Sequence, residues 1–343
     1  MSVTRRQVAQ FAGVSESTVS YVINNGPRSV SEETRQRVLH AIAELGYRPN
    51  VVAQNLRRQQ SSTMGLIVPD TANPFYGEIA RVVENACDTY GYTVMLGNSG
   101  GSPTREQWYV EQLILNQVAG IFFIPTGDQI TTPPVFTTLK DVGMPTIVVD
   151  HPNDLFPFVT SNQVQIGYLA TQHLLDLGHR RIAYIGRPAQ DIPAFSRYTG
   201  YVRALEEHCL TPDPALLIRT GEHPEDGYAA TMQLLGLEVR PTAIFAHNDM
   251  NALGVLRAAQ EVGLSVPHDL SVIGSDNIHI GEYFTPPLTT IAHPIEQLAM
   301  TAVERLIDMI EAKGTLENHS TILLEPSLVV RSSTTKPDTT EEC

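Results

Sequence analysis

The sequence predicts a small all-α head followed by a larger α/β body of two doubly wound subdomains with parallel sheets. The chain has 343 residues, 42% of them hydrophobic and 17% charged, so it can bury more than one core. Its first 60 residues space their apolar side chains as helices do, whereas later apolar runs alternate with amphipathic segments. The charge also differs between the first 60 residues and the rest of the chain. The first 60 residues hold eight arginines and four glutamates, a net +4, and the other 283 hold 15 basic and 33 acidic side chains.

Three short helices are predicted in the head. Thr4 with Gln7 resembles a capping box, and Gly13 ends the first helix. Ser15 caps a second helix after a turn of about three residues. Ser31 begins a third helix, which Gly46 ends. In the first helix Val8, Phe11 and Ala12 fall on one face, and the inward-facing residues of the second and third helices are Val19, Val22, Ile23, Val38, Ile42 and Leu45.

Two short helices joined by a tight glycine-containing turn form the helix-turn-helix pattern, whose second helix reads base edges in a DNA major groove. The side chains predicted to point outward from that helix are Glu16, Ser17, Ser20 and Tyr21. A small helical bundle with an ordinary solvated face is the alternative. The basic surplus of the head favours DNA, because phosphate attraction acts locally and is screened within roughly 10 Å.

The segment RPNVVAQNLRRQQSS, residues 48–62, predicts a hinge helix over 49–60. Pro49 can open it, Asn50 can cap it, and Val52, Ala53 and Leu56 share one side. Such a short helix is not stable alone in water, so its folding depends on a partner.

The body alternates strand-like apolar runs with helical patterns, which predicts parallel strands buried on both faces. The predicted strands are 64–68, 92–96, 120–124, 146–150, 181–186, 216–220, 242–246 and 270–274. Small ligands bind at the carboxyl ends of strands in such folds, so polar residues that follow the strands are candidate ligand contacts. The predicted ligand contacts are Asn73, Phe75, Tyr76, His151, Asn248, Asp249 and Asp276. Carboxylate, amide and aromatic groups suit the hydroxyls and C–H faces of a sugar or ribose. Asn73 and Asp249 have the alternative role of helix caps, and Phe75 that of a core residue.

Segments of both the head and the body resemble the lactose-repressor (LacI/GalR) family of bacterial transcription regulators. The resemblance rests on TRRQVAQFAGVSESTVSYVIN, VSEETRQRVLHAIAELGYRPN and VVAQNLR in the head. In the body it extends through DVGMPTIVVD, GHRRIAYIG, PTAIFAHNDMNALGVLRAAQEVGLSVPHDLSVIGSDN and FTPPLTTIAHP, to about residue 330.

The resemblance implies a dimer on a pseudo-palindromic operator, with a base-reading helix from Ser15 to Asn24 and Leu56 wedged between central base pairs. The DNA-binding residues it implies are Thr4, Ser15, Glu16, Ser17, Thr18, Ser20, Tyr21, Asn24, Arg28, Val52, Ala53, Leu56 and Arg57. It also places Arg197 in the ligand site.

The implied domains are a helix-turn-helix domain at 1–48, a hinge at 49–60, a periplasmic-binding-protein-like body at 61–331 and a disordered polar tail at 332–343. The body divides into an N-subdomain, about 61–161 and 293–320, and a C-subdomain, about 162–290 and 322–331. Three connections cross between the two lobes, near 160–162, 290–294 and 321–326.

We therefore expect a cytoplasmic, ligand-controlled repressor, active as a homodimer, that needs no cofactor or metal. We expect a sugar effector, with a nucleoside or purine as the alternative. An exported solute-binding protein is a second alternative, but the first twenty residues lack the apolar run of an export signal, and no membrane span is expected. One catalytic pattern occurs, GNSGG at 97–101, which matches GxSxG around Ser99. Residues 101–103 separate it from the next helix and no oxyanion loop precedes it, so we expect no enzyme.

Overall fold

The chain divides into two compact units, Met1–Ser61 and Ser62–Cys343, which we call the head and the body. The structure is a computed structural model that describes residues 3–23, 30–47, 61–126, 134–186, 196–312 and 321–338. The predicted hinge at 49–60 lies outside the described residues.

The described part of the head contains the three predicted helices. They are α1 (Arg5–Ala12), α2 (Glu16–Ile23) and α3 (Glu32–Leu45). Thr4 and Gln7 form the predicted capping box, and Ser31 accepts the Thr34 backbone N–H at the start of α3. Gly13 and Gly46 end α1 and α3 with positive φ angles of 65° and 61°, which glycine adopts without steric cost. Both ends of α1 and α3 are therefore confirmed.

The body contains two six-stranded sheets among its described residues. The first has the order β11-β5-β4-β3-β1-β2 and is parallel throughout, and the second has the order β12-β10-β9-β8-β6-β7, with only β12 antiparallel to its neighbour. The strands are β1 (Thr63–Val68), β2 (Thr93–Asn98), β3 (Ile121–Phe123), β4 (Thr146–Val149), β5 (Phe158–Ser161), β6 (Ile182–Gly186), β7 (Leu217–Arg219), β8 (Ala243–Ala246), β9 (Ser271–Asp276), β10 (Thr289–Ala292), β11 (Thr321–Leu324) and β12 (Ser327–Val329).

Each sheet is covered by helices on both faces, which confirms the doubly wound architecture. The helices are α4 (Pro74–Thr89), α5 (Pro103–Leu115), α6 (Pro134–Asp141), α7 (Gln163–Asp176), α8 (Arg197–Glu207), α9 (Pro224–Leu235), α10 (Asp249–Glu261) and α11 (Ile295–Glu311). Helices α4 and α11 pack on one face of the first sheet, and α5 and α6 on the other. Helices α7 and α8 cover one face of the second sheet, and α9 and α10 cover the other.

Three connections join the two sheets. The first runs from β5 into α7, the second from β10 into α11, and the third from β11 to β12. The first sheet with α4–α6 and α11 forms the N-subdomain, and the second sheet with α7–α10 forms the C-subdomain. Because two of these connections run straight from a strand into a helix of the other lobe, any rotation of the lobes changes the backbone at 161–163 and 292–295.

The prediction of a disordered tail from residue 332 is wrong for residues 332–338. The Ser333 hydroxyl donates to the Val272 carbonyl at 2.6 Å and accepts the Thr289 N–H at 2.8 Å, and its side chain is fully buried. The Thr335 carbonyl accepts hydrogen bonds from Ser271 and His179. Hydroxyl groups of a polar sequence thus complete the backbone hydrogen bonding at the end of the second sheet.

Candidate functional site

The surface of α2 carries the residues predicted to read DNA. Val19 and Val22 are buried in the head, so the opposite side of the helix faces solvent. Ser15 accepts the Thr18 N–H at 3.2 Å, and its hydroxyl lies 2.7 Å from that of Ser17. Thr4, Ser15, Glu16 and Ser17 are exposed, and Thr18, Ser20 and Tyr21 are half-buried. The predicted DNA contacts Asn24, Arg28, Val52, Ala53, Leu56 and Arg57 lie outside the described residues.

The polar residues of the body gather at the carboxyl ends of the strands, where the two lobes meet. On the N-subdomain side, Asn73 caps α4 by accepting the Phe75 N–H at 3.0 Å. The Phe75 ring is buried, with its centroid 5.3 Å from that of Tyr76 and 4.9 Å from that of His293. Asn73 therefore fixes the start of α4, and Phe75 and Tyr76 supply an aromatic wall beside the cleft.

Arg197 is the first residue of α8 and the centre of the polar cluster. Its Nε donates to Gln163 Oε1 at 2.8 Å, and one terminal nitrogen donates to the His247 carbonyl. The other terminal nitrogen lies 3.3 Å from His293 Nε2 and 3.7 Å from Asp276 Oδ1. The guanidinium is buried. It contacts residues from three separate parts of the C-subdomain and one residue of the second connection.

Glycines bring Arg197 into this position. A β-carbon at Gly200 would overlap the carbonyl oxygen of Val164, and one at Gly167 would overlap the carbonyl oxygen of Arg197 itself. Helices α7 and α8 therefore touch backbone to backbone near their N-terminal ends, which only glycine permits. This contact places Gln163 and Arg197 side by side.

Two neighbouring aspartates have different positions in the cluster. Asp276 ends β9 with a positive φ of 118° and approaches Arg197 and His293. Burial raises the pKa of Asp276 to about 8; the Arg197 charge lowers this pKa in part, and Glu222 and Asp150 raise it further. Its carboxyl is therefore largely protonated at neutral pH.

Asp249 lies behind this surface. It is fully buried, its Oδ1 accepts the Thr290 hydroxyl at 2.6 Å, and its Oδ2 accepts the Ile278 N–H at 2.9 Å. Burial, followed by the nearby Asp276, raises the pKa of Asp249 well above its usual range. The structure thus places the predicted ligand contact Asp249 as a support for the turn after β9, because both its oxygens already accept hydrogen bonds from protein groups.

Asn248 and His151 complete the predicted set. Asn248 caps α10 by accepting the Asn251 N–H at 2.7 Å, and its amide donates to the Glu222 carbonyl at 3.2 Å. Its side chain is therefore engaged with the protein. His151 is half-buried and directly follows Asp150, whose Oδ1 accepts hydrogen bonds from Thr160 and Gln163, both at 2.8 Å.

Four members of the cluster were not predicted from the sequence. Gln163 links Asp150 to Arg197, and His293 links Asp276 and Arg197 to Ser161. Asp150 ends a predicted strand, and this signal should have placed it among the candidates. Ser161 and His293 were assigned to the crossing connections and Gln163 to no site, and nothing local in the sequence marks the three as neighbours of Arg197.

Ser99 of the GNSGG segment has a structural position. Its hydroxyl is fully buried and donates to the Val68 carbonyl at 3.2 Å. It therefore holds the loop after β2 against the end of β1 and presents no nucleophile to solvent. In the parts of the chain that are described, no group of His, Cys, Asp and Glu side chains is arranged to hold a metal ion, and no helix is long and apolar enough to cross a membrane.

Comparison with known proteins supports both parts of this arrangement. Residues 4–50 match the bacterial regulatory proteins of the lacI family, and residues 171–334 match the periplasmic binding protein-like domain. The HTH-type transcriptional repressor PurR of Histophilus somni strain 129Pt is 36% identical over 332 residues, which cover 96% of this chain and 98% of that protein. The chain belongs to the lacI family.

Two solved structures of transcription regulators show the same fold over nearly the whole chain. The lac repressor dimer bound to operator and the anti-inducer ONPF has a TM-score of 0.84 at 30% identity, covering 98% of this chain and 100% of that one. The complex of the transcriptional regulator CelR with cellobiose has a TM-score of 0.72 at 30% identity, covering 96% and 99%. The PurR and lac repressor matches each span head and body together, which confirms the predicted combination of a helix-turn-helix head with a periplasmic-binding-protein-like body.

Proposed function

We propose that the chain is a ligand-responsive transcriptional repressor that binds operator DNA in the cytoplasm. The observation that carries the proposal is the exposed polar surface at the N-terminal end of α2, on a head of net charge +4. A helix so presented suits the major groove, and the positive head suits phosphates despite the acidic body. The PurR relative is named as a repressor, and the lac repressor structure contains operator DNA.

A homodimer is supported by exposed apolar side chains in both subdomains. Strand β2 is an edge strand of the first sheet, and it exposes Met95 and Leu96. The C-subdomain exposes Ile280 and Tyr283. Exposed apolar groups at a sheet edge favour a covering partner, and a second copy also supplies the second head that a two-fold operator needs. Leu96→Glu should therefore halve the mass measured by light scattering, and an unchanged mass would remove β2 from the interface.

The cleft supports a neutral effector rich in hydroxyl groups. Asp150 and Glu222 lie near enough to Asp276 to raise its pKa, so acidic side chains outnumber the one guanidinium of the cluster, that of Arg197, and the charge around the cleft disfavours an anionic ligand. Alternating donors and acceptors beside the Phe75 ring suit a sugar, and the CelR structure contains cellobiose. A purine is the second candidate, because PurR relatives match over most of the chain and the aromatic wall of Phe75 and Tyr76 can stack on a base.

The solute-binding alternative is not favoured. A protein that only binds a solute has no use for the exposed α2 surface, and the lacI-family match covers residues 4–50. The named relatives are repressors, and the buried Ser99 gives the hydrolase alternative no support.

DNA binding is tested by selecting duplexes from a random library with the full chain. We expect a two-fold symmetric site with half-sites one helical turn apart, or a multiple of it. Glu16→Ala and Tyr21→Ala should change the selected bases, whereas Glu44→Ala, on the exposed side of α3, should not. Binding without any sequence preference would contradict the regulator assignment.

Effector binding is tested by thermal unfolding of the full chain with ribose, cellobiose, guanine and adenine. Arg197→Ala should remove the stabilisation by the active compound and its effect on operator binding, while operator affinity without ligand survives. Arg203→Ala is the matched control, since Arg203 lies on the same helix but is exposed and pairs with Glu207. A purine that stabilises where both sugars fail would replace the sugar assignment by the second candidate.

A further inference from the structure

His293 joins two of the three lobe-crossing connections directly. It lies on the second connection, between β10 and α11, and its Nδ1 is 2.9 Å from the Ser161 hydroxyl at the end of β5, where the first connection begins. Its side chain is fully buried. The backbone that must change when the lobes rotate is therefore tied together by one imidazole.

The same imidazole contacts ligand-site residues from both subdomains. Nε2 lies 3.3 Å from the Arg197 guanidinium and 3.4 Å from Asp276 Oδ1, and both residues belong to the C-subdomain. One side of the ring packs near Phe75, the aromatic residue at the start of α4 in the N-subdomain. His293 thus has one ring nitrogen toward the ligand site and the other toward the first connection.

The partners of His293 determine its hydrogen-bonding state. An arginine side chain can only donate, so Nε2 must accept, and the proton resides on Nδ1. Nδ1 then donates to the Ser161 hydroxyl. Burial, followed by the Arg197 charge, lowers the pKa of His293 to about 3, so the ring stays neutral near neutral pH. A change in the guanidinium position alters the hydrogen bond that Nε2 accepts. Because the ring is rigid, Nδ1 and its hydrogen bond to Ser161 shift as well.

We propose that His293 is a positioning residue that transmits the arrangement of Arg197 and Asp276 to the first and second crossing connections, through its hydrogen bond to Ser161 and through its own backbone. This role rests on the proposed function, in which ligand binding at Arg197 changes lobe orientation. Ligand contact at Arg197 weakens or strengthens its hydrogen bond to Nε2. The imidazole passes that change to Ser161 on one connection and, through its own backbone, to the start of α11 on the other.

Backbone amide exchange of the full chain tests this role without a ligand or DNA. The reporter amides are those of Ile166, bonded to the Asn162 carbonyl, and Leu298, bonded to the Pro294 carbonyl. Ser161→Ala should accelerate exchange of the Leu298 amide on the other connection about fivefold, the effect of losing one hydrogen bond of typical net strength. Thr231→Val is the matched control, since it removes a buried hydroxyl that donates to the Gly227 carbonyl in α9.

His293 variants separate transmission from mere packing. His293→Ala should accelerate exchange at Ile166 about fivefold, and His293→Gln, which keeps a donor and an acceptor, should restore most of the protection. Arg197→Ala should change the Leu298 amide in the native background but not in the His293→Ala background. Arg203→Ala should change neither reporter.

A second measurement determines which ring nitrogen of His293 carries the proton. In the full chain labelled with ¹⁵N-histidine, the signal lost in His293→Gln should show a protonated Nδ1 and a bare Nε2 between pH 5.5 and 8. A protonated Nε2 would overturn the assignment, and so would exchange effects confined to whichever connection carries the substitution. Failure to find an operator or effector would defeat the proposed function but would leave both measurements on His293 intact, so the two failures are distinguishable.

Discussion

The raised pKa of Asp276 predicts a specific pH dependence of stability. An unfolded aspartate titrates near pH 4, whereas burial raises the pKa of the folded Asp276 to about 8. Between these values the folded chain holds a proton that the unfolded chain has lost, so the stability is present in full below about pH 4 and is lost as pH rises toward 8. Integrating this difference from pH 6.5 to 8 gives a loss of about 1.6 kcal/mol, or about 3 °C in melting temperature.

Asp276→Asn supplies the matched reference, because an amide does not titrate. Half-buried His173 and buried His179 and His293 have lowered pKa values and oppose the trend, since they favour folding as pH rises through the unfolded histidine range. These histidines are present in both proteins, so their effect cancels in the difference. Urea unfolding monitored by circular dichroism at pH 6.5, 7.2 and 8 should show the stability of the native chain relative to Asp276→Asn falling by about 1.6 kcal/mol. A constant difference would mean that Asp276 is ionised throughout and that its ion pair with Arg197 dominates over burial.

Three further substitutions test other parts of the molecule. Gly200→Ala should separate α7 from α8, which lowers the free energy of unfolding in urea by about 1 to 3 kcal/mol and abolishes stabilisation by the effector. In Gly236→Ala the added β-carbon meets only ordinary contacts, so stability and effector stabilisation should both be retained. Leu56→Ala should weaken operator binding in a fluorescence anisotropy titration while leaving effector binding intact, and unchanged operator affinity would refute the wedge. Ser333→Val should lower the free energy of unfolding by about 2 to 4 kcal/mol, because two buried backbone groups lose their partner; an unchanged urea midpoint would show that the tail is dispensable.

The head and the apolar strands could be predicted because their signals are local. The capping pairs of α1 and α3 lie within three residues of each other, and Gly13 and Gly46 supply left-handed ends. All eight predicted strands are present in the structure. Continuous apolar runs are needed in the six inner ones, which are buried on both faces, whereas the edge strands β2 and β7 are partly exposed. Strands β5, β10, β11 and β12 were not predicted as strands. Buried threonine and serine interrupt β5 and β10, and their hydroxyl partners lie elsewhere in the fold.

The ligand site could be predicted only in part for the same reason. Asp276, expected from its position after a strand, lies close to Arg197, which only the family resemblance placed in the site, but the role of Asp249 depends on partners 29 and 41 residues away. His293 is assigned by contacts across 96 and 132 residues. The polar tail was predicted to be disordered because its composition offers few apolar groups to bury. Composition does not show that Ser333 bonds to two backbone groups of the second sheet.

The C-subdomain half of the site is held by backbone contacts that occur twice. Gly167 and Gly200 bring α7 against α8, and Gly227 and Gly254 bring α9 against α10, in each case because a β-carbon would overlap a carbonyl oxygen of the facing helix. Both pairs of helices therefore meet tightly near their N-terminal ends, which lie at the carboxyl edge of the second sheet. Backbone contacts of this kind leave little freedom to Arg197, so this half of the site is pre-formed. A ligand that binds Arg197 and Asp276 can then act on lobe orientation mainly through the groups that leave the C-subdomain, the His293–Ser161 bond and the aromatic wall at Phe75.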